Sequence, residues 1–428
     1  MNIMLIFPYA GSHRHGMALR PYYLAREWVK LGHEVTIVAS GFSHLRLVNP
    51  DNKDGLTEEM IDGIRYLWIK TPRYTGNGSR RVLNMLGFAW LIHRYAPILS
   101  ERYRPDLVMV SSPHPFSIFG AKRVARSARA KLVFEVRDLW PQSLIEYGNR
   151  SAWHPFIILT QFAENYAYSV SDQIVSLLPK AEEHMRLHGL AQGKFYYLPN
   201  GIVVEEWEES GPERLPDLHR ETLQRWKEEG RFIIGYAGSH GLANRLEDLI
   251  EAADELRDQP VAFVLVGQGP MKAALEQLVE EKGLRHVSFL PPIPKTAIPA
   301  CLRWMDALFM GWKMLPLLRF GVSANKLFDY MMAGKPVIHA IDAGNDPIEE
   351  AGCGISIRPE DSRQLVDAIR RLLKMTEKER QEMGQRGRSY VMEMHNLEHL
   401  ASRFLTDVCG QPQHVNKAQP AQPLHWGE

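Results

Sequence analysis

Short apolar runs alternate with longer stretches in which apolar residues recur every three to four positions, and the alternation repeats along most of the chain. In the first half, the runs Asn2–Phe7, Glu34–Ala39, Ile64–Ile69, Leu107–Ser111, Lys131–Val136, Gln173–Leu177 and Phe195–Leu198 predict strands. Helices are expected between them near Leu19–Leu31, Arg80–Tyr103, Phe116–Ala128, His154–Ser169 and Lys180–His188. Nearly continuous apolar strands joined by amphipathic helices indicate parallel sheets covered on both faces. The turn Leu198-Pro-Asn-Gly201 and the acidic, proline-containing run from Glu205 to Asp217 interrupt the pattern and set a domain boundary. A second alternation begins at Arg231, with strands at Phe232–Ala237, Val261–Val266, Val287–Leu290, Ala307–Met310, Pro336–Ala340 and Gly354–Ile357. Helical periodicity resumes from Glu377 to about Val408, long enough to cross back onto the first half, and the Gln/Pro-rich end after Gly410 reads as a disordered tail.

Composition supports two domains, because 428 residues exceed what one hydrophobic core organises. The net charge of +1 hides an asymmetry: Ser79 to Lys131 holds ten Lys and Arg against Glu101 and Asp106, a net of +8 that leaves −7 for the rest. No nucleic-acid partner is expected. Cys301, Cys353 and Cys409 form neither a CxxC pair nor an even framework, which fits a reducing cytoplasm and argues against a zinc or disulfide scaffold. The opening Met-Asn-Ile-Met-Leu-Ile-Phe-Pro8 lacks a basic leader region and reads as a first strand. The longest apolar run, Val82 to Ile92, is too short to span a bilayer.

The stretch from Gly321 to Ile338 reads as loop, helix and buried strand, with Ser323 as N-cap and Gly334 and Pro336 ending the helix. Asn325, Lys326 and Asp329 gather on one helical face, away from Leu327 and Met331. A cation beside a helix N-terminus suits a diphosphate, and Asp329 can accept hydrogen bonds from a ribose diol. In open α/β sheets, ligands bind beyond the carboxyl ends of strands, so the loops there are the next candidates. Gly235-Tyr-Ala-Gly-Ser-His-Gly-Leu-Ala-Asn-Arg245 is a glycine-rich strand-to-helix turn where a phosphate can approach the backbone, and Val266-Gly-Gln-Gly-Pro-Met271 repeats the arrangement. Ser111-Ser-Pro-His-Pro115 sets His114 on a loop after a strand, where an exposed imidazole could donate to a hydroxyl or shuttle a proton. His15-Gly16-Met-Ala-Leu-Arg20 and Glu135-Val-Arg-Asp-Leu-Trp-Pro141 would line the opposite wall of the same cleft.

With these segments in view, the chain resembles the family-four retaining glycosyltransferases of GT-B fold over nearly its whole length. The carriers are Gly16, the run Arg20-Pro-Tyr-Tyr-Leu-Ala-Arg-Glu-Trp-Val-Lys-Leu-Gly-His-Glu-Val-Thr36, Asp138-Leu-Trp-Pro141, Pro199-Asn-Gly201, Leu265-Val-Gly-Gln-Gly-Pro270 and Ser323-Ala-Asn-Lys-Leu-Phe-Asp-Tyr-Met331. The branch it looks most like is the fucosamine-transferase type of bacterial surface-polysaccharide enzymes, which use UDP-linked N-acetylated sugars. The resemblance implies an α/β protein of two Rossmann-like domains facing a cleft: residues 1–200 for the acceptor, 201–390 for the nucleotide sugar, a helix at about 391–409 packed back on the first, and the tail 410–428. On the donor side it implies Gly238, Ser239, His240, Gly241, Arg245, Gly267, Pro292, Ser323, Asn325, Lys326, Leu327 and Asp329. On the acceptor side it implies His15, Gly16, Arg20, Arg137 and Asp138, with His114, Lys326 and Asp329 catalytic. The family's paired acids stand eight apart; the second matches Asp329 and the first falls on Gly321, which favours a deoxy or N-acetylated donor sugar.

The implied reaction is hexosyl transfer from a UDP-sugar to a lipid-linked or saccharide acceptor in O-antigen or capsule synthesis. It uses no metal or other cofactor and proceeds by front-face substitution, with fixed donors meeting the charge that develops on the diphosphate. The cytoplasmic location extends to peripheral attachment on the inner face of the membrane, since Lys122, Arg126 and Arg129 share a helical face and basic residues flank the run Val82 to Ile92. Two other readings are a UDP-sugar 2-epimerase, which shares the architecture but needs several acid/base groups where the first-domain loops offer chiefly His15, His114 and Asp138, and a non-catalytic nucleotide-sugar-binding subunit, supported by Gly321 alone.

Overall fold

The structure is a computed structural model and describes residues 1–16, 18–52, 54–76, 78–208 and 215–410. Residues 209–214 of the acidic run and the tail expected beyond Gly410 lie outside the described residues. In the first half, β1 (Asn2–Ile6), β2 (Glu34–Ser40), β3 (Leu56–Ile61), β4 (Ile64–Ile69), β5 (Leu107–Ser111), β6 (Lys131–Val136), β7 (Gln173–Ser176) and β8 (Phe195–Tyr197) form one sheet in the order β3-β4-β2-β1-β5-β6-β7-β8. Every pairing is parallel except β3 with β4. The second half builds a parallel sheet from β9 (Phe232–Ala237), β10 (Val261–Val266), β11 (Val287–Leu290), β12 (Ala307–Gly311), β13 (Val337–Ala340) and β14 (Gly354–Ile357), in the order β11-β10-β9-β12-β13-β14. Helices seal both faces of each sheet, which is why every residue of β5, β9, β10 and β12 is buried. The strand order reverses beside β1 and beside β9, opening a crevice at each carboxyl edge.

β3 has no counterpart in the predicted strands, because it lies at the sheet edge and its residues alternate between solvent and sheet. Its hairpin turn is Asp62-Gly63, both at positive φ (50° and 78°), the two-residue connection whose twist suits a hairpin. The helical stretch near the C-terminus is two helices, Glu377–Met394 and Leu397–Cys409, divided where Asn396 caps the second by accepting from Glu398 N.

That division marks one of two chain crossings between the halves. Ile202 N donates to His395 O at 2.7 Å and Leu397 N to Ile202 O at 3.0 Å, so the two crossings run side by side. Past the break, the helix Leu397–Cys409 buries Leu400, Phe404 and Leu405 in the first-domain core. Trp28 Nε1 donates to Ala401 O at 3.0 Å, and the Trp28 and Phe404 rings lie 5.5 Å apart. Among the described residues, no helix is long and apolar enough to cross a membrane. Replacing Phe404 with Ala should lower stability by about 3–5 kcal/mol, and with Leu by less than about 1.5 kcal/mol. Urea unfolding followed by tryptophan fluorescence checks this; equal losses would mean that the helix is not anchored through this ring.

Candidate active site

The helix Asn325–Met332 stands with its N-terminus at the crevice of the second sheet. Its apolar residues Leu327, Phe328, Tyr330, Met331 and Met332 are buried, and Tyr330 Oη fixes it to the end of β9 by accepting from Ala237 N (2.7 Å) and donating to Ala237 O (3.1 Å). The polar face opens on a hollow of about 300 Å³ lined by Gly238, Ser239, Asn244, Ile298, Lys326 and Asp329. Lys326 Nζ donates to Tyr236 Oη and Asn244 Oδ1, each at 2.9 Å, above the Tyr236 ring. Lys326 forms no ion pair among the described residues, and desolvation pushes its ammonium down to about 7. Asp329 is pushed up to about 6: burial raises it, Lys295 opposes, and Glu206 adds to the rise. A Cβ on Gly238 would stand 3.1 Å from Lys326 Cδ, so the bare backbone there lets the lysine lie along the loop.

Several candidates on this side have other work. Ser323 is not the N-cap: Ala324 holds that position, and Ser323 Oγ instead accepts from Asn200 N across the domain boundary at 2.8 Å. Leu327 is wholly buried core, so its side chain is withdrawn from the hollow. The Arg245 guanidinium pairs with Asp248 at 2.6 Å on its own helix, one turn on, rather than turning to the diphosphate position. Gly267 serves packing, since a Cβ there would collide with Gly238 O. His240 is fully buried between the Tyr236 and Phe289 rings, with both ring nitrogens unpartnered. Burial first, then Lys272 and Lys326, pushes its imidazole down to about 4. Asn325, Gly241 and Pro292 remain at least partly exposed. Tyr236, Asn244, Ile298 and Tyr330 were not foreseen as site residues; the polarity of Asn244 beside Arg245 was the one available signal. Lys295 was also missed: its ammonium contacts Tyr23 Oη of the first domain at 3.1 Å and Glu206 at 3.5 Å.

On the first domain, His114 is not the exposed imidazole that its loop position suggests. It is 1% exposed, stacked on Phe116, edge-on to Tyr9, and without a partner at either ring nitrogen. Burial and then Arg81 push it down to about 3, so it stays neutral and cannot shuttle a proton near neutral pH. His15 turns inward against Trp68 and bonds Ser12 Oγ at 2.8 Å, while Gly16, at φ 67°, lies under Leu47. Arg20 is withdrawn from any acceptor: it pairs with Glu135 at 2.9 Å and donates to Leu198 O, Pro199 O and Asn200 Oδ1. Asp138 accepts from Trp140 Nε1 at 3.2 Å, and burial raises its carboxyl. Arg137 lies with its guanidinium over the Phe7 ring at 4.9 Å.

Gly321, where the family resemblance implies a first acid, has φ 103°, and a Cβ there would lie 2.6 Å from Pro179 Cδ of the first domain and 2.7 Å from Asn345 Oδ1. No carboxylate fits that space. Among the described residues, no group of three His, Cys, Asp or Glu is placed to hold a metal ion.

Comparison with known proteins bears on the same halves. Residues 15–201 match the family described as Glycosyl transferase 4-like domain, and residues 220–390 the family described as Glycosyl transferases group 1. The putative colanic acid biosynthesis glycosyl transferase WcaI of Escherichia coli (strain K12) is 24% identical over 401 residues, 90% of this chain and 94% of that protein. Sucrose-phosphate synthase from Thermosynechococcus elongatus has a similar structure, with a TM-score of 0.72 at 16% identity over 95% of this chain and 98% of the other. Anabaena HepE in complex with UDP-glucose gives 0.65 at 13% identity over 96% and 99%. The structural likenesses establish a GT-B type of fold, and the two family matches take in every strand of both sheets except β1, together with every residue lining the hollow. The chain therefore belongs to the group 1 glycosyltransferases with a 4-like first half, and it is a glycosyltransferase.

Proposed function

We propose that the protein moves a sugar, N-acetylated, from a UDP-sugar to a lipid-linked saccharide during synthesis of a bacterial surface polysaccharide, O-antigen or capsule, with retention at the anomeric carbon. The observation that carries this reading is the hollow in which Lys326, free of any ion pair among the described residues, and Asp329 lie together. A diphosphate against Lys326 would restore its charge, and a ribose diol can donate to Asp329. The name of WcaI, which refers to colanic acid biosynthesis, and the UDP-glucose in HepE support the substrate classes. As the glycosidic bond to the diphosphate breaks, Lys326 and the N-terminus of the helix Asn325–Met332 meet the charge on the leaving group without a metal. His114, neutral and with both ring nitrogens buried, packs beneath the first-domain edge and makes no contact that this reading needs.

Asp329→Ala should raise the donor KM, and Lys326→Ala should raise it as well and also lower kcat, each by roughly 10–1000-fold. Near-normal steady-state kinetics of UDP release in both variants would sink the assignment.

The two shifted groups also set a pH window. Lys326 must be charged to hold the diphosphate, so affinity is full below its free value of about 7 and lost as pH rises through it. Asp329 must be ionised, so affinity is full above about 6 and lost as pH falls. UDP-sugar affinity measured calorimetrically should peak between these values and drop up to about tenfold per pH unit on either side. Lys326→Arg should abolish the alkaline limb only; an unchanged alkaline limb in that variant would show that Lys326 does not set it.

The same reading sets the first domain on the inner face of the cytoplasmic membrane, where a lipid-linked acceptor resides. Leu83 and Trp90 are each 61% exposed on the helix Ser79–Tyr103. Arg123, Arg126 and Arg129 are exposed on the helix Ile118–Ala128 and its exit, where Arg123 Nη1 donates to His93 O at 3.3 Å, and Lys122 lies over Tyr166. The helix Pro155–Val170 adds an exposed Phe162 stacked on Phe119. At about 1 kcal/mol per basic residue near an anionic surface, this patch would give reversible attachment. Sedimentation should show binding to anionic but not neutral vesicles, weakened by salt and by changing Lys122, Arg123, Arg126 and Arg129 to Gln. Binding indifferent to all three would refute attachment through this patch.

A further inference from the structure

The carboxyl edge of the first sheet holds a guanidinium that no carboxylate among the described residues contacts directly. Arg137 follows β6 and reaches the crevice only partly exposed, its guanidinium carbon 4.9 Å from the Phe7 ring centroid. The nearest candidate counter-ions are occupied. Glu135 is taken up by Arg20 at 2.9 Å and by the Ser111 hydroxyl, while Asp138 accepts from Trp140. Arg137 consequently makes no ion pair and no side-chain hydrogen bond among the described residues. Withdrawing a guanidinium from water without an anion is costly, and here burial lowers its proton affinity despite Glu135 and Asp138 in the neighbourhood. A second, independent feature lies on the same edge. His114, 1% exposed, has two unpartnered ring nitrogens, and the Phe7, Tyr9 and His114 rings succeed one another at 6.0 and 6.1 Å. Arg81 lies over the middle ring of this aromatic floor, 5.8 Å from the Tyr9 centroid. Two guanidiniums thus lie over adjacent rings, Arg137 over Phe7 and Arg81 over Tyr9, and the rings contribute no carboxylate.

We propose that this edge binds an anionic group carried by the acceptor, a diphosphate or a sugar carboxylate, with Arg137 as its principal contact. The proposal rests on the glycosyl-transfer reading and names the acceptor's chemical class. The donor diphosphate has its own cation, Lys326, on the opposite sheet, so the anion at Arg137 is a different one. A planar fork can hold two oxygens of a phosphate or carboxylate at once, which a lysine cannot.

The test is calorimetric binding to the full chain saturated with UDP. The probes are a farnesyl-diphosphate-linked N-acetylglucosamine, the octyl glycoside of the same sugar, and an octyl glucuronide. The wild type should bind at least one anionic probe about tenfold or more tightly than the neutral glycoside, and which of the two it prefers identifies the group. Arg137→Gln should remove that preference while the neutral glycoside binds within about twofold of the wild type, and Arg137→Lys should restore it in part. Equal binding of all three probes by the wild type, or an unchanged preference in Arg137→Gln, overturns the proposal. So does a fall in UDP affinity in step with the loss of anion binding, which would make Arg137 a donor contact. If UDP itself does not bind, the donor reading fails, and the same probes titrated without UDP still decide the role of Arg137.

Discussion

The Arg20 guanidinium, sealed under the carboxyl edge of the first sheet, commits its donors to four acceptors on two separate stretches of chain. They are Glu135 on β6, the carbonyls of Leu198 and Pro199, and the Asn200 side chain where the chain leaves the first domain. Asn200 carries the connection onward: its N–H donates to Ser323 Oγ, its amide group to Ser323 O, and its own carbonyl accepts from His395 Nδ1 at 3.0 Å. One guanidinium therefore registers β6, both chain crossings and the loop that opens the helix of Lys326 and Asp329. A buried ion pair adds little net stability over an apolar packing of the same volume. Its value here is geometric, because removing one partner would leave a buried charge and release the linker at once. Burial alone would raise Glu135, but Arg20, Arg137 and the Ser111 hydroxyl hold it below the usual carboxylate range. Because Glu135 is turned to Arg20, Arg137 two residues on is left without a close counter-ion.

The parallel strands were legible in the sequence because strands covered on both faces are continuous apolar runs, and β4, β5, β6, β9, β10, β11 and β14 fall on the residues that the pattern marks. The helix Asp217–Glu228 was not read, since only Leu218, Leu223 and Trp226 are apolar, Leu218 faces solvent, and the stretch follows a proline. In the site, Lys326 and Asp329 were legible as polar residues on one face of a short amphipathic helix. Arg20 was misread because its ionic partner lies 115 residues away, and only the fold brings the two together. His114 was misread for a similar reason: its burial is decided by Tyr9 in the turn after β1 and by Phe116 beyond a proline. Arg245 is different. Its partner Asp248 stands at i+3 on a predicted helix, so the pairing could have been read from spacing alone.

The glycine at position 321 links the missing acid to the way the halves meet. Lys180 N donates to Phe320 O at 3.0 Å, Pro179 fills the space that a side chain at 321 would need, and Arg319 pairs with Glu146 of the first domain at 2.8 Å. The loop from Pro316 to Gly321 is thus part of the domain boundary, whereas all the residues around the 300 Å³ hollow come from the second domain. In the proposed reading, the nucleotide is held by one domain and the sugar lies where two domains touch. A carboxylate at 321 would require both the Asn345 side chain and the first domain to move, and moving the domain would also disturb the Asn200–Ser323 contact. In that reading the absence of an acid at 321 and the close approach of the halves are one feature, and recognition of the sugar would fall to groups that the boundary itself assembles.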